Sequence, residues 1–538
     1  MKDCTVQKVM SNQPVISLLL YGHIPFIRHT EKHLSYQETW LFESISETYI
    51  PLLEVLDHLD RDLVPFRISL SFSPALCHML SDELLIERYL EYTSKQIEFG
   101  ANELEQSASD KQLHSLVMNF YNKIVNKRLF FTERLEKNIL KGFDYYQKKG
   151  RIEILSTAAT NAFLPFYTAY PEAIQAQFEV ATSSYKANFG SPPNGFWLPE
   201  LGWSEDLDSW LRAYNFTYTI VDSHALAFAH PTAEKGCFYP AKTPQGVVVF
   251  GRDFYAGEDM ANIANDPVFR NRWRDQGFEL PSDSLGPFLG PKGRRCSTGY
   301  KYWARREDGS SDALYNHSTA MEKVRAQARY FLDRTISRLN EAAALMEGPA
   351  LSLCAFDADS FGRFWYEGPE FIEALFREAA KSEGYQLMSP TEYLCKLDTA
   401  TFQSLTPEFS SIGENGYAET WLDASNDWLY RHAMRAIERM VEIVERFPED
   451  SGIKERALNQ AARELLLVLA SDWSKMLYKQ ESSEYARNRV ESSLKNFTTI
   501  YEALGSNYIN TEWLTLLERK NNIFPNINYR IFRRKSQI

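Results

Sequence analysis

Residues 195–203 read Gly195-Phe-Trp-Leu-Pro-Glu-Leu-Gly-Trp203, which sets one carboxylate, Glu200, among two tryptophans, a proline and two glycines. Residues 196–198 read as a short strand that delivers Glu200 at its end. After it, Ser204 is placed as an N-cap, with Glu205 and Asp206 in a first turn where the helix dipole favours anions. The helix predicted there runs to Tyr214, and residues 218–221 form the next strand, ending at Asp222-Ser223-His224. On the N-terminal side, residues 171–188 have helical spacing and stop at Gly190 and Pro192-Pro193. Before them, residues 151–155 (RIEIL) form a strand ending in Thr160-Asn161. Short apolar strands alternating with amphipathic helices are the signature of βαβ units in a parallel sheet or barrel.

The same alternation extends outward. Residues 15–21 (VISLLLY) form a buried strand followed by Gly22-His23, residues 39–56 a helix, and residues 66–72 a strand. Residues 319–346 predict a long helix, residues 350–356 (ALSLCAF) a strand ending at Asp357, and residues 369–383 a helix. Two stretches break the pattern. Residues 81–150 are charged and helical in period and read as an insertion between strands. Residues 228–299 are rich in Gly and Pro and read as long loops, which in a compact enzyme usually serve function. Beyond residue 400 the strand signal fades, and residues 427–446, 453–470 and 482–503 are amphipathic helices. The expected organisation is therefore an α/β catalytic unit over 1–400 and a helical unit over 401–538.

Composition narrows the function. A net charge of −12 disfavours nucleic acid as partner. The short basic tail from Arg530 to Lys535 reads as a solvated end. Six scattered cysteines with no C-x-x-C support neither a zinc site nor a disulfide framework. No apolar run reaches the ~18 residues that span a bilayer, and the N-terminus lacks a signal-peptide pattern. The expectation is a soluble protein of the reducing cytoplasm. Aromatics make up 14% of the chain; flat rings serve both cores and sugar platforms.

His23, Thr160-Asn161, Glu200, Asp222-Ser223-His224 and Asp357 each follow a different predicted strand. In a (β/α) barrel such strand ends converge on one face, which makes Glu200 and Asp357 partners across one pocket. Two carboxylates facing each other suffice for glycoside chemistry, one as nucleophile and one as acid then base. Taken singly, each residue has a structural reading: Glu200 a buried ion-pair member, Asp357-Ala-Asp359 a turn or N-cap, His23 a structural hydrogen-bonding group, Trp197 and Trp203 core. A metal-dependent hydrolase built on His23, Asp357 and Asp359 is a further option.

Five stretches occur in order: Gly22-His-Ile-Pro-Phe-Ile-Arg-His29, Gly150 to Pro165, Gly195 to Trp203, Val221-Asp-Ser-His224, and Phe356-Asp-Ala-Asp-Ser-Phe-Gly-Arg-Phe-Trp-Tyr-Glu-Gly-Pro369. Together they resemble glycoside hydrolase family 57, in its glucan branching enzyme and amylase-like branch. Ser411 to Trp421, Asn426-Asp-Trp428 and Ser471-Asp-Trp473 resemble the helical domain of that branch. The resemblance implies a (β/α)7 barrel, an incomplete TIM-like barrel, with a helical insertion and a C-terminal helical domain closing the cleft. It implies a retaining enzyme acting on α-1,4-glucans (amylose, glycogen or maltooligosaccharides) without metal or organic cofactor. The activity implied first is 1,4-α-glucan branching; α-amylase, 4-α-glucanotransferase or a glucan-binding homologue are the alternatives. Glu200 matches the nucleophile and Asp357 the acid/base. His23, Trp40, Trp203, His224, Arg252, Asp253, Phe361, Trp365, Trp421, Asp472 and Trp473 are the substrate-binding residues it implies.

The chain departs from the family pattern in several places. Asn161 stands where the second motif has histidine, Arg363 where the fourth has histidine, and Ile412 where a tryptophan is usual. A further tryptophan is replaced in the run Glu258-Asp-Met-Ala261. Lys235 lies near the tip of the loop where branching members carry an aromatic. All but the last of these positions bear on how sugar is held; the last bears on whether water reaches the intermediate.

Overall fold

Parity along the first strand sets the architecture. In β1 (Val15–Gly22) the side chains of Val15, Leu19 and Tyr21 join one apolar cluster, and those of Ile16, Leu18 and Leu20 join another. A strand buried on both faces is what a parallel sheet covered by helices requires. The computed structural model describes residues 13–31, 34–290, 293–305 and 313–534.

The strands after β1 are β2 (Ile68–Phe72), β3 (Ile152–Thr157), β4 (Gly195–Trp197), β5 (Tyr218–Val221), β6 (Ala241–Lys242), β7 (Val248–Gly251), β8 (Leu351–Asp357) and β9 (Gln386–Leu387). Their order in the sheet is β6-β7-β5-β4-β3-β2-β1-β8, with β9 pairing β1. All pairings are parallel except β6 with β7. Seven strands, β1 to β5 with β7 and β8, make the barrel wall. A single parallel bridge, Arg252 to Leu353, joins β7 to β8, and the Asp253 N–H donates to the Leu353 carbonyl at 2.9 Å. The result is a (β/α)7 barrel closed by one bridge. Leu19, Leu155, Trp197, Ile220, Phe250 and Leu353 fill its interior.

Helices Pro171–Phe189, Leu207–Ala213, His317–Ala343 and Gly368–Ala379 follow barrel strands. Helices Glu83–Gln106, Lys111–Leu129 and Ile139–Lys148 form the insertion between β2 and β3. Asp82, Asp110 and Asn138 cap these three by accepting from backbone N–H groups. Helices Asp427–Arg446, Ile453–Val468, Asp472–Lys479, Ser483–Gly505 and Thr511–Lys520 follow the barrel. They meet it directly: the Ser471 N–H donates to the Asn161 carbonyl at 3.2 Å, and the Thr160 hydroxyl donates to the Leu466 carbonyl at 2.8 Å.

Three expectations need correction. Residues 228–299 are not all loop, because β7 and helix Phe254–Ala264 lie within them. Ser204 does not cap the following helix, which begins at Leu207, and its hydroxyl is buried without a partner. The basic tail is anchored as far as Phe532, and only Arg533 and Arg534 among its described residues are exposed. Tyr529 and Phe532 are fully buried, and Arg530 donates to the carbonyls of Pro448 and Asp450. No helix of the described residues is long and apolar enough to cross a membrane.

Candidate active site

Strand parity carries Asp357 and Tyr21 to the site. Asp357 ends β8 two residues after the inward-facing Ala355, and it pairs in register with Tyr21 on β1. The Tyr21 ring stacks on Trp197 of β4, with centroids 4.6 Å apart and planes 15° apart. Glu200 follows β4 by three residues. It has left-handed backbone angles (φ 56°, ψ 20°), as does Leu201 (φ 50°). Such angles cost a non-glycine residue on the order of 1–3 kcal/mol, and they persist only where the surroundings impose them. Here the Glu200 carbonyl accepts from the Ile412 N–H at 2.8 Å. The turn thus holds the carboxylate at the barrel mouth, 5% exposed.

The two carboxyl groups sit in different fields. Glu200 Oε1 accepts from Asn161 Nδ2 at 3.1 Å and from the Ser471 hydroxyl at 3.2 Å, while Lys475 Nζ lies 3.6 Å from Oε2. Glu200, with Asp357 behind it, holds the Lys475 ammonium above its ordinary pKa. Among the described residues, the hydrogen-bond donor to Asp357 is the Asp359 N–H at 2.8 Å. Burial first, and the charge of Asp359 second, push it up to about 7. One group is therefore an ion-paired carboxylate and the other a carboxylic acid near neutrality. Environments that separate two carboxyl groups in this way assign an anion and an acid. Tyr21 feels both: burial, then Asp357, then Glu200 raise its hydroxyl.

His23 ends up between the barrel and the helices behind it. Its Nδ1 is 2.7 Å from the Ser73 hydroxyl and its Nε2 is 2.8 Å from Asp472 Oδ2. Asp472 opens helix Asp472–Lys479, so one short helix supplies Asp472 and Lys475, and the residue before it supplies Ser471. Arg252 donates from Nη2 to Asp222 at 2.8 Å and lines the cleft. His224 Nε2 is 2.9 Å from the Gly416 carbonyl. Gly416 has φ 81°, and a Cβ there would meet the imidazole at 2.8 Å, so only glycine fits.

A cleft of about 440 Å³ opens over this floor, lined by Tyr21, Trp197, Arg252, Phe254, Glu258, Ala261, Asp357 and Ile412 among others. Ile412, which stands where a tryptophan was expected, faces it, as do Glu258, Met260 and Ala261 of the run in which a further tryptophan is replaced.

Several expected binding residues are placed elsewhere. Trp203, Phe361, Trp365, Trp421 and Trp473 are each at most 1% exposed and serve the core. The Trp203 indole donates to the Pro407 carbonyl, the Trp473 indole to the Leu467 carbonyl, and Trp421 lies parallel to Phe163 at 5.1 Å. Trp365 reaches only the wall of a second cleft. Asp253 is buried, caps helix Phe254–Ala264 through Ala256 and accepts from the Ser352 hydroxyl at 2.6 Å. Trp40 is half-buried, edge-on to Tyr36 and Tyr485. Asp359 is engaged by Ser44 at 2.7 Å and Arg363 at 3.3 Å. Among the described residues no group of three or more His, Cys, Asp or Glu is arranged to hold a metal ion.

The sequence reading missed Tyr21, Ser471 and Lys475. Tyr21 was available from β1 parity. Lys475 was available from helical spacing, because it lies three residues after Asp472 on the same face.

The chain matches the profile of glycosyl hydrolase family 57 over residues 17–261. It also matches that of the 1,4-alpha-glucan branching enzyme C-terminal region over residues 432–532. A 1,4-alpha-glucan branching enzyme of Thermococcus kodakarensis is 26% identical over 501 residues, covering 90% of this chain and 72% of the relative. The alpha-amylase AmyC of Thermotoga maritima superposes with a TM-score of 0.90 at 34% identity, covering 98% of this chain and 100% of that one. The branching enzyme of Pyrococcus horikoshii shares the fold, with a TM-score of 0.87 at 24% identity over 98% of both chains. The chain belongs to glycosyl hydrolase family 57.

Proposed function

We propose that this chain is a retaining enzyme of α-1,4-glucans whose principal reaction is the formation of α-1,6 branches. The observation that carries the chemistry is the contrast between Asp357, held protonated to about pH 7, and the ion-paired Glu200. Glu200 attacks the anomeric carbon while Asp357 gives its proton to the departing glycosidic oxygen. This leaves a glycosyl ester on Glu200 and a carboxylate at Asp357. That carboxylate then takes the proton from a 6-hydroxyl of a second glucan chain. The new oxygen–carbon bond forms as the ester bond to Glu200 breaks. Tyr21 and Trp197 form the wall beside the reacting sugar, and His23, Asp472 and Arg252 supply polar contacts to it.

Branching rather than hydrolysis is favoured by the match of residues 432–532 to the branching-enzyme C-terminal profile and by the Thermococcus relative. Hydrolysis is the second reading. It is motivated by the 34% identity to the Thermotoga amylase and by Lys235, whose ammonium donates to the Glu347 carbonyl at 2.7 Å. The bounds 1–400 and 401–538 remain our proposal for the two units. We also place the protein in a reducing cytoplasm, which the thiols of Cys77, Cys237, Cys296 and Cys354 support.

Incubation with amylose distinguishes the two reactions. New α-1,6 linkages with few new reducing ends mean branching, and many reducing ends mean hydrolysis. Neither product at high enzyme loading would remove the catalytic reading. Glu200→Gln abolishes either activity.

A further inference from the structure

A second cleft, of about 480 Å³, continues the catalytic one. The two share Ala261, Ala264 and Ser360 as lining residues. The second cleft does not touch Trp197, Leu201 or Ile412, which border the catalytic cleft near Glu200. It therefore opens on the side of Asp357, three residues before Ser360. That is the side on which an acid/base handles the leaving and the incoming chain.

Its rim carries Trp273, a residue that is 74% exposed. An indole left that open in a folded protein forgoes the stabilisation that burying a large apolar side chain returns. The indole is nevertheless held in place. The backbone N–H of Trp273 donates to Asn271 Oδ1 at 2.9 Å, which fixes the turn that carries the ring, and the Arg272 guanidinium lies 4.1 Å from the ring centroid. Arg272 also lies 4.9 Å from the centroid of Phe364. Arg305 ties the floor by donating to the carbonyls of Ala264 and Phe364 at 2.7 and 3.1 Å.

We propose that this cleft is an acceptor-chain subsite for α-glucan, with Trp273 as its stacking platform. The proposal rests on the glucan-active reading above and extends it along the substrate. One face of the indole is backed by a cation and the other is open, which suits the C–H face of a pyranose. Arg272 and Asn271 supply donors for ring hydroxyls beside it. Ala261, Ala264 and Ser360, which line both clefts, are small side chains. A chain seated on Trp273 would continue over this shared floor toward Asp357, which lines the catalytic cleft.

Binding in the full-length chain carrying Glu200→Gln separates this subsite from turnover. Maltoheptaose and maltotriose are titrated calorimetrically against that protein with and without Trp273→Ala, and with Trp273→Phe as the conservative variant. Loss of one stacking contact predicts about tenfold weaker maltoheptaose binding in Trp273→Ala, a much smaller change for maltotriose, and recovery in Trp273→Phe. Equal maltoheptaose affinity with and without the indole overturns the subsite while leaving the catalytic reading standing. So does an equal loss for both ligands. A chain that neither binds maltoheptaose nor turns over amylose with Glu200 intact overturns both.

Discussion

Lys475→Met removes a cation paired with the nucleophile. The ammonium lies 3.6 Å from Glu200 Oε2. At that separation the attraction is about 4.6 kcal/mol at an effective dielectric of ~20 and about 1.2 kcal/mol in bulk water. The Lys475 side chain is 38% exposed, so solvent screening brings the figure to about 1–2 kcal/mol. The pair exists only while Glu200 is a carboxylate. It is lost when Glu200 becomes a neutral ester and regained when the ester is released. Lys475 therefore favours the free enzyme over the glycosyl-enzyme, and its loss moves that balance toward the ester by about 5- to 30-fold. Lys475→Met is expected to form the ester more readily and to release it more slowly. The assay is intact-protein mass spectrometry of samples quenched during steady-state turnover of α-maltosyl fluoride. The ratio of glycosylated to free enzyme rises by that factor over the unsubstituted chain. An unchanged or lower ratio would refute the electrostatic role assigned to Lys475.

Further consequences follow from the same geometry. Because Asp357 must carry a proton to act as acid, kcat/KM on amylose falls as pH rises through about 7. Asp359→Asn removes the neighbouring negative charge and moves that limb to lower pH, which a pH–rate profile reads directly. Asp357 binds its proton more tightly in the folded chain than in the unfolded one, so its contribution to stability is complete below about pH 4. That contribution is lost as pH rises through about 7. Asp357→Asn is thus expected to raise stability at pH 8 by at most about 4 kcal/mol (three units at ~1.4 kcal/mol each), and the gain shrinks toward pH 4 in denaturant titrations. Trp421→Ala, at a residue 1% exposed and stacked on Phe163, lowers stability by about 3–5 kcal/mol in the same titration. No loss of stability would show that the ring is not core.

The barrel was legible because strands buried on both faces are written as continuous apolar runs, as in residues 15–21 and 350–356. Strand β7 was not, although Val247 to Phe250 are apolar, because it is short and lies in a Gly- and Pro-rich stretch. At the site, Glu200, Asp357, His23, Arg252 and Asp472 could be named from strand ends and motif order. The tryptophans could not be sorted, since an indole in a core and an indole under a sugar have the same composition. Only the fold shows that Trp203, Trp421 and Trp473 are buried while Trp273 stands open. The contact of Asn161 with Ser471, 310 residues apart, depends on how the helices dock on the barrel, and no local pattern encodes it.

The roles of the two carboxyl groups are tested most directly by trapping the intermediate in Asp357→Asn with α-maltosyl fluoride. Fluoride leaves without a proton, so the first step proceeds, and without its base the second step stalls. Peptide mapping is predicted to find the maltosyl group esterified to Glu200, released on addition of azide as an α-maltosyl azide. No adduct, or an adduct on another residue, would contradict the assignment of Glu200 as nucleophile and Asp357 as acid/base.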